Sequence, residues 1–147
     1  MAVTVLYRHA GRPDASGLTH AFDDVDEGKY YADAVKWAAA NGIVHGYGNG
    51  KFGAEDNVTR QDLAVILNNY ARFAGIVLPI VRQYSPFADD ADIANYAKED
   101  IERFFRAAIV NGKPGNNFDP QGLATRAEFA TMLEGLIEDR RLRVRIE

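Results

Sequence analysis

Residues 58–69 read VTRQDLAVILNN, and residues 124–135 read ATRAEFATMLEG. In both, a threonine (Thr59, Thr125) precedes an arginine (Arg60, Arg126), and an acid (Asp62, Glu128) stands three positions after the threonine. That spacing is the signature of a capping box at a helix N-terminus. Apolar residues then recur at helical spacing: Leu63, Ile66, Leu67 and Tyr70 in the first stretch, and Phe129, Met132, Leu133, Leu136 and Ile137 in the second. The arginine is the anomaly. A cation in the first turn faces the positive end of the helix dipole and costs a few tenths to ~1 kcal/mol. Finding it twice at the same place asks for a reason.

The repetition extends outward from these helices. Arg126 lies 66 positions after Arg60 (126 − 60 = 66), and the same offset pairs Asp23 and Asp24 with Asp89 and Asp90, Ile43 with Ile109, Gly46 with Gly112 and Phe52 with Phe118. Each unit opens on an aromatic and acidic segment, FDDVDEGKYY or FADDADIANY. A short helix follows, with stripes of Val35, Ala38 and Ala39 or of Ile101, Phe104, Phe105 and Ala108, and Gly42 as terminator of the first. A Gly/Asn turn, GYGNGKF or GKPGNNF, then leads to the Thr-Arg helix. The N-terminal MAVTVLYRHAG reads as the body of a further Thr-Arg helix, aligned at an offset of 61 with Met1 on Asp62 (62 − 1 = 61). The expected organisation is a terminal helix of an incomplete unit with its linker (1–20), a repeat (21–75), a Pro-bearing connector (76–86), a second repeat (87–139) and a basic/apolar tail (140–147). The tail RLRVRI alternates like a strand, or else continues the last helix. Three amphipathic helices without apolar partners of their own must share one core.

Composition narrows the function classes. The 147 residues suffice for one domain with a real core, and 47% hydrophobic with 26% charged residues is ordinary for a globular chain. Seventeen basic against 21 acidic residues leave a net charge of −4. That disfavours nucleic-acid binding, and a helix-turn-helix reading also lacks a basic recognition helix. Cysteine is absent, and no apolar run reaches membrane-spanning length, so neither disulfides nor membrane insertion is expected. MAVTVLYRHAG lacks the charged start and cleavage site of a signal peptide, so any export signal of the parent protein is expected outside this chain. His9, His20 and His45 are scattered, without a zinc-binding pair or a nucleophile elbow, and no enzyme is expected. Counting an EF-hand from Asp23 puts Val25 at position 3 and Ala34 at position 12, so the calcium pattern fails and no metal or cofactor is expected.

The order FDDV, GIVHGYGNGKF, VTRQDLA, and again ATRAEFA resembles the S-layer homology family over nearly the whole chain. The resemblance implies an all-α fold: repeats arranged as a pseudo-threefold spindle, the capped long helices forming a central three-helix bundle with short helices outside and one prong incomplete. It implies non-covalent anchoring of an exported protein to the bacterial cell wall or S-layer. The implied partner is a secondary cell-wall polysaccharide, anionic and bearing pyruvyl ketals, held in grooves between repeats. Three departures stand out: the N-terminal half of the first repeat is lacking, Gln61-Asp62 replaces the commoner Ala-Glu, and FADDADIANY is looser than the usual segment.

A pyruvyl ketal presents a carboxylate, and a helix N-terminus with an arginine beside it suits one. Arg60 and Arg126 are therefore the first ligand candidates, the alternative being that each pairs with a local carboxylate. Arg→Ala at either position is expected to weaken glycan binding without harming the fold. Thr59, Asp62, Thr125 and Glu128 are expected to support them as caps. Trp37 either faces a groove or packs on a neighbouring repeat. Gly46 and Gly48, with Gly50, either let the backbone approach a sugar or serve a tight turn. Asp24 and Asp90 complete the candidates. The incomplete first repeat suggests self-association, and the alternative function is a structural or oligomerisation module without a glycan site.

Overall fold

The structure is a computed structural model that describes residues 2–19, 22, 25, 28, 30–45 and 58–146, the side chains of 138–146 excepted. Among them the fold is all-α: α1 (Ala2–His9), α2 (Ala32–Ala40), α3 (Arg60–Phe73), α4 (Asn95–Arg106) and α5 (Arg126–Ile146), with a 3₁₀ turn at Asp90–Asp92. Extended pairing among the described residues is limited to two isolated bridges, Thr59 with Leu123 and Lys113 with Asn117. The chain divides into two compact units, Met1–Asp56 and Asn57–Glu147.

In the first unit α1 packs on α2. α1 buries Val3, Thr4 and Leu6, and α2 buries Ala32, Ala34, Val35, Trp37 and Ala38, a wider arc than the expected stripe. Trp37 is only 2% exposed and its ring lies 5.6 Å from that of Tyr7. Both helices stop on a glycine in the left-handed region, Gly11 (φ 89°) and Gly42 (φ 70°). The next backbone N–H reaches back into the last turn in each, Arg12 to Tyr7 and Ile43 to Ala38.

In the second unit α3 packs on α4 and touches α5. Leu63, Leu67, Tyr70, Ile101, Phe104 and Leu136 are fully buried at these contacts. One polar pair is buried with them: Asn68 of α3 donates to Asp100 of α4, with Arg72 at 3.7 Å. Desolvation raises the Asp100 pKa against the pull of Asn68, Arg72 and Arg103. Ala108 lies on no apolar stripe. It is exposed, holds φ 60° and closes α4 as Gly42 closes α2, with Ile109 donating to Phe104. The connector is pinned by Arg82, whose guanidinium lies 3.9 Å over Phe105 and donates to the carbonyls of Phe105 and Val110.

Two features depart from the sequence reading. The glycine caps align RHAG at 8–11 with RFAG at 72–75, an offset of 64 (75 − 11 = 64) instead of 61, a slip of almost one helical turn that keeps the same face inward. The packing units are also out of phase with the sequence repeats: a Thr-Arg helix packs on the short helix that follows it, as α1 does on α2 and α3 on α4. At the C-terminus the backbone of 140–146 continues α5 as helix, one of the two readings that the alternating tail allowed.

Candidate functional site

The first turn of α3 is built into its surroundings. Thr59 is the N-cap, its hydroxyl accepting from the Asp62 N–H at 3.3 Å. The segment before α3 runs beside the one before α5, with Ala124 N–H donating to Val58 O. Arg60 N–H donates to Gly122 O at 2.8 Å and Gln61 N–H to Pro120 O at 3.2 Å. Three first-turn donors are therefore satisfied from within the chain, leaving little of the bare helix terminus that an anion would use.

The Arg60 side chain is equally engaged. Its Nε donates to Phe118 O at 2.7 Å, its guanidinium sits 4.9 Å over the Phe118 ring, and its Nη1 pairs with Glu128. Only 11% of the side chain is exposed, and this burial lowers the arginine's pKa while Asp119 and Asp89 act in the opposite direction. The turn beneath is held by Asp89, whose two carboxylate oxygens accept from the Phe118 and Asp119 N–H groups, both at 2.8 Å. Asp119 adopts φ 61° and accepts from Lys113 at 2.8 Å, which lowers its pKa.

Gln61 and Asp62, the departures from the commoner Ala-Glu, have specific tasks. Gln61 is 4% exposed and its Oε1 accepts from the Ala94 N–H at the start of α4. The Asp62 carboxylate accepts from Tyr96 OH, and desolvation, joined by this bond, pushes that phenol up to about 12. Both residues dock α4 onto α3, and only half a capping box forms at Thr59.

At α5 the box is complete. Glu128 N–H donates to the Thr125 hydroxyl at 3.0 Å, and Thr125 N–H donates to Glu128 Oε1 at 3.2 Å. The Arg126 side chain is exposed and, among the described residues, has no hydrogen-bond or ion-pair partner. Glu128 Oε2 is shut off from solvent and without a hydrogen bond of good geometry, and the charge it faces is the Arg60 guanidinium. Between the two helix starts lies a pocket of about 290 Å³, with Arg60, Glu128, Asn111 and Thr131 on its polar side and Phe118 and Met132 on its apolar side.

Residues 21–64 and 86–130 match the S-layer homology domain. The chain belongs to the S-layer homology domain family. This domain is a non-catalytic anchoring module, and it recurs in proteins of varied kind. The chain is 34% identical to an exoglucanase, XynX, of Acetivibrio thermocellus over 80% of its own length and 11% of that protein's. It is 29% identical to an S-layer protein of Bacillus licheniformis over 78% of this chain and 12% of that protein. A middle cell wall protein of Brevibacillus brevis is 29% identical over 90% of this chain and 12% of its own length. The chain thus spans about a tenth of each.

The remaining candidates are placed as follows. Trp37 is enclosed in the first unit beside Tyr7, the packing alternative of its two readings. Asp90 accepts from Tyr84 OH at 2.8 Å and lies 3.9 Å from Lys98. Asp24, Gly46, Gly48 and Gly50 lie outside the described residues. At Gly112, the repeat equivalent of Gly46, an added Cβ would stand 3.1 Å from the Phe87 ring, so glycine there serves close packing of the turn. Asp89 and the Phe118 platform were legible only as members of the 66-residue offset, and nothing local marked them as neighbours of Arg60. Among the described residues no group of three or more His, Asp or Glu side chains is placed to hold a metal ion, and no helix is long and apolar enough to cross a membrane.

Proposed function

We propose that this chain anchors a larger exported protein to the bacterial cell surface by binding a secondary cell-wall polysaccharide. The polymer is anionic, its pyruvyl ketal carboxylates meeting Arg60 and Arg126 at the starts of α3 and α5. The observation that carries this reading is the pocket between two matched repeats, walled by the largely enclosed guanidinium of Arg60 and by sugar-compatible neighbours, Asn111, Thr131 and Phe118. A guanidinium fork fits a carboxylate, and an apolar ring face suits the C–H surface of a sugar. Asp24, Gly46 and Gly48 are proposed to face ligand in the other repeat, whereas Trp37 acts through packing and Asp90 through its hydrogen bond with Tyr84. The deciding experiment is a pull-down with wall sacculi before and after the polysaccharide is stripped, and again after mild acid has removed the ketal pyruvate. Binding is expected to vanish with either treatment and to weaken with salt. Equal capture by treated and untreated sacculi refutes the reading.

One observation favours a second reading, a structural or self-associating module without a glycan site. Arg60 is already supplied with a carboxylate and a carbonyl by its own chain. Light scattering over a concentration series, with and without sacculi, separates the two.

A further inference from the structure

We propose that Glu128 is a latch on the glycan site: its carboxylate occupies the Arg60 guanidinium in the free protein and is exchanged for the carboxylate of the incoming saccharide. The inference rests on the wall-polysaccharide reading above. Its basis is the double engagement of one side chain. Glu128 Oε1 closes the capping box on Thr125 N–H, while Oε2 crosses to Arg60 and is closed off from water. Arg60 cannot turn elsewhere to receive a ligand, because its Nε is fixed on Phe118 O and its plane rests over the Phe118 ring. The guanidinium edge that reaches Glu128 opens on the same pocket, since Arg60 and Glu128 both line it. A ligand carboxylate entering there meets a charge already neutralised, beside a second negative charge. Like charges that close repel strongly in a half-desolvated site.

Exchange relieves this conflict. With 26% of its side chain exposed at the pocket wall, Glu128 has room to swing toward solvent as the saccharide carboxylate takes its place. The number of charge-assisted contacts to Arg60 is conserved, so the site holds weakly and selects for a true anion. A neutral sugar gains nothing from opening the latch. Arg126, exposed and without such a carboxylate among the described residues, carries no equivalent restraint from them. The two arginine-bearing helix starts therefore differ in how their affinity is set.

The test is Glu128→Gln. Glutamine keeps an Oε1 acceptor for Thr125 N–H, so the cap survives, while the anionic competitor is gone. Affinity for sacculi carrying the intact polysaccharide is expected to rise about tenfold, the worth of one charge-assisted contact. Affinity for acid-treated sacculi, stripped of pyruvate, is expected to stay at background, which a general loosening of the fold would not produce. Glu128→Asp, one methylene short, keeps the negative charge at the cap but strains the reach to Arg60, and its affinity must move the same way by less. It keeps the proposal testable should Glu128→Gln fold poorly. Unchanged or weaker binding by both variants, with pyruvate dependence intact, overturns the latch and leaves the polysaccharide reading standing. Wild-type protein that captures treated and untreated sacculi equally refutes that reading and takes the latch with it.

Discussion

The starts of α3 and α5 carry the same four-residue signature and have different lives. At α3, Thr59-Arg60-Gln61-Asp62 is enclosed: loop carbonyls of Pro120 and Gly122 take the backbone donors, and Phe118 and Glu128 take the guanidinium. At α5, Thr125-Arg126-Ala127-Glu128 caps itself, and Arg126 stands in solvent. The first-turn arginine that looked like one unexplained cost is thus two cases. Arg60 is neutralised by an acid from the neighbouring helix start, so its opposition to the helix dipole is offset within the fold. Arg126 bears that small cost uncompensated by any described residue.

The sharpest way to break this comparison is to remove both arginines in turn. Arg60→Ala removes the cation that faces Glu128 and leaves the Phe118 carbonyl without its donor, and should cost about 1–2 kcal/mol of stability. Arg126→Ala should stay within about 0.5 kcal/mol of wild type. Denaturant unfolding of the two variants decides it. The expectation that neither replacement touches the fold is therefore retained for Arg126 and given up for Arg60, because Arg60 is part of the core of the turn. Equal midpoints would mean the enclosure at α3 contributes nothing.

A smaller contrast lies in the threonines. Thr125→Ala breaks both halves of a reciprocal box and should cost roughly 1 kcal/mol. Thr59→Ala removes one long hydrogen bond at a helix start whose other donors are already covered, and should cost about half as much. Thermal melts of the pair rank them, and the reverse order would show that the loop carbonyls do not substitute for a cap. Below this comes Gly122→Ala. The new Cβ would stand 2.2 Å from Asp119 Oδ2, so that carboxylate must swing off Lys113. The pair is exposed, so the loss of stability should be small, and it should be felt at α3 alone. Amide exchange of Arg60 and Gln61 is the readout, since their acceptors sit in that turn.

The smallest effect is a titration. Tyr96 is held near 12 by desolvation and by Asp62, so Asp62→Asn should lower its ionisation toward 10, read by phenolate absorbance. A phenol whose folded pKa is raised contributes stability that is complete below its unfolded value and lost as pH climbs through the folded one. That places the contribution's loss between pH 10 and about 12, and the variant should shrink the window from its upper side. Glu128→Gln should leave the Tyr96 titration untouched, which ties each acid to its own helix start.

Much of the architecture was legible because it depends on local rules. Apolar spacing of 3.6, a threonine before the first turn and a glycine after the last one act within a few residues, and they located α2 to α5. Ala108 escaped because an alanine carries no mark of the left-handed position it fills, whereas Gly42 does. The offset for α1 slipped by almost a turn because its apolar stripe is short, and one face of a helix fits two registers nearly as well.

By itself, the sequence determined the all-α class, the repeat of 66, the caps and the family, since each is a pattern of residue types along the chain. Which acid meets which arginine was decided only by tertiary structure. Arg60 and Glu128 stand 68 positions apart (128 − 60 = 68); Phe118 and Gly122 reach the same arginine from the connection after α4, and Asp89, from the connection before α4, holds that turn in place. Two identical Thr-Arg signatures carry no sign of which will be enclosed. Enclosure depends on the turn that folds back over α3, and a charge acquires its partner, its desolvation and its role only where that turn brings the groups within a few ångströms.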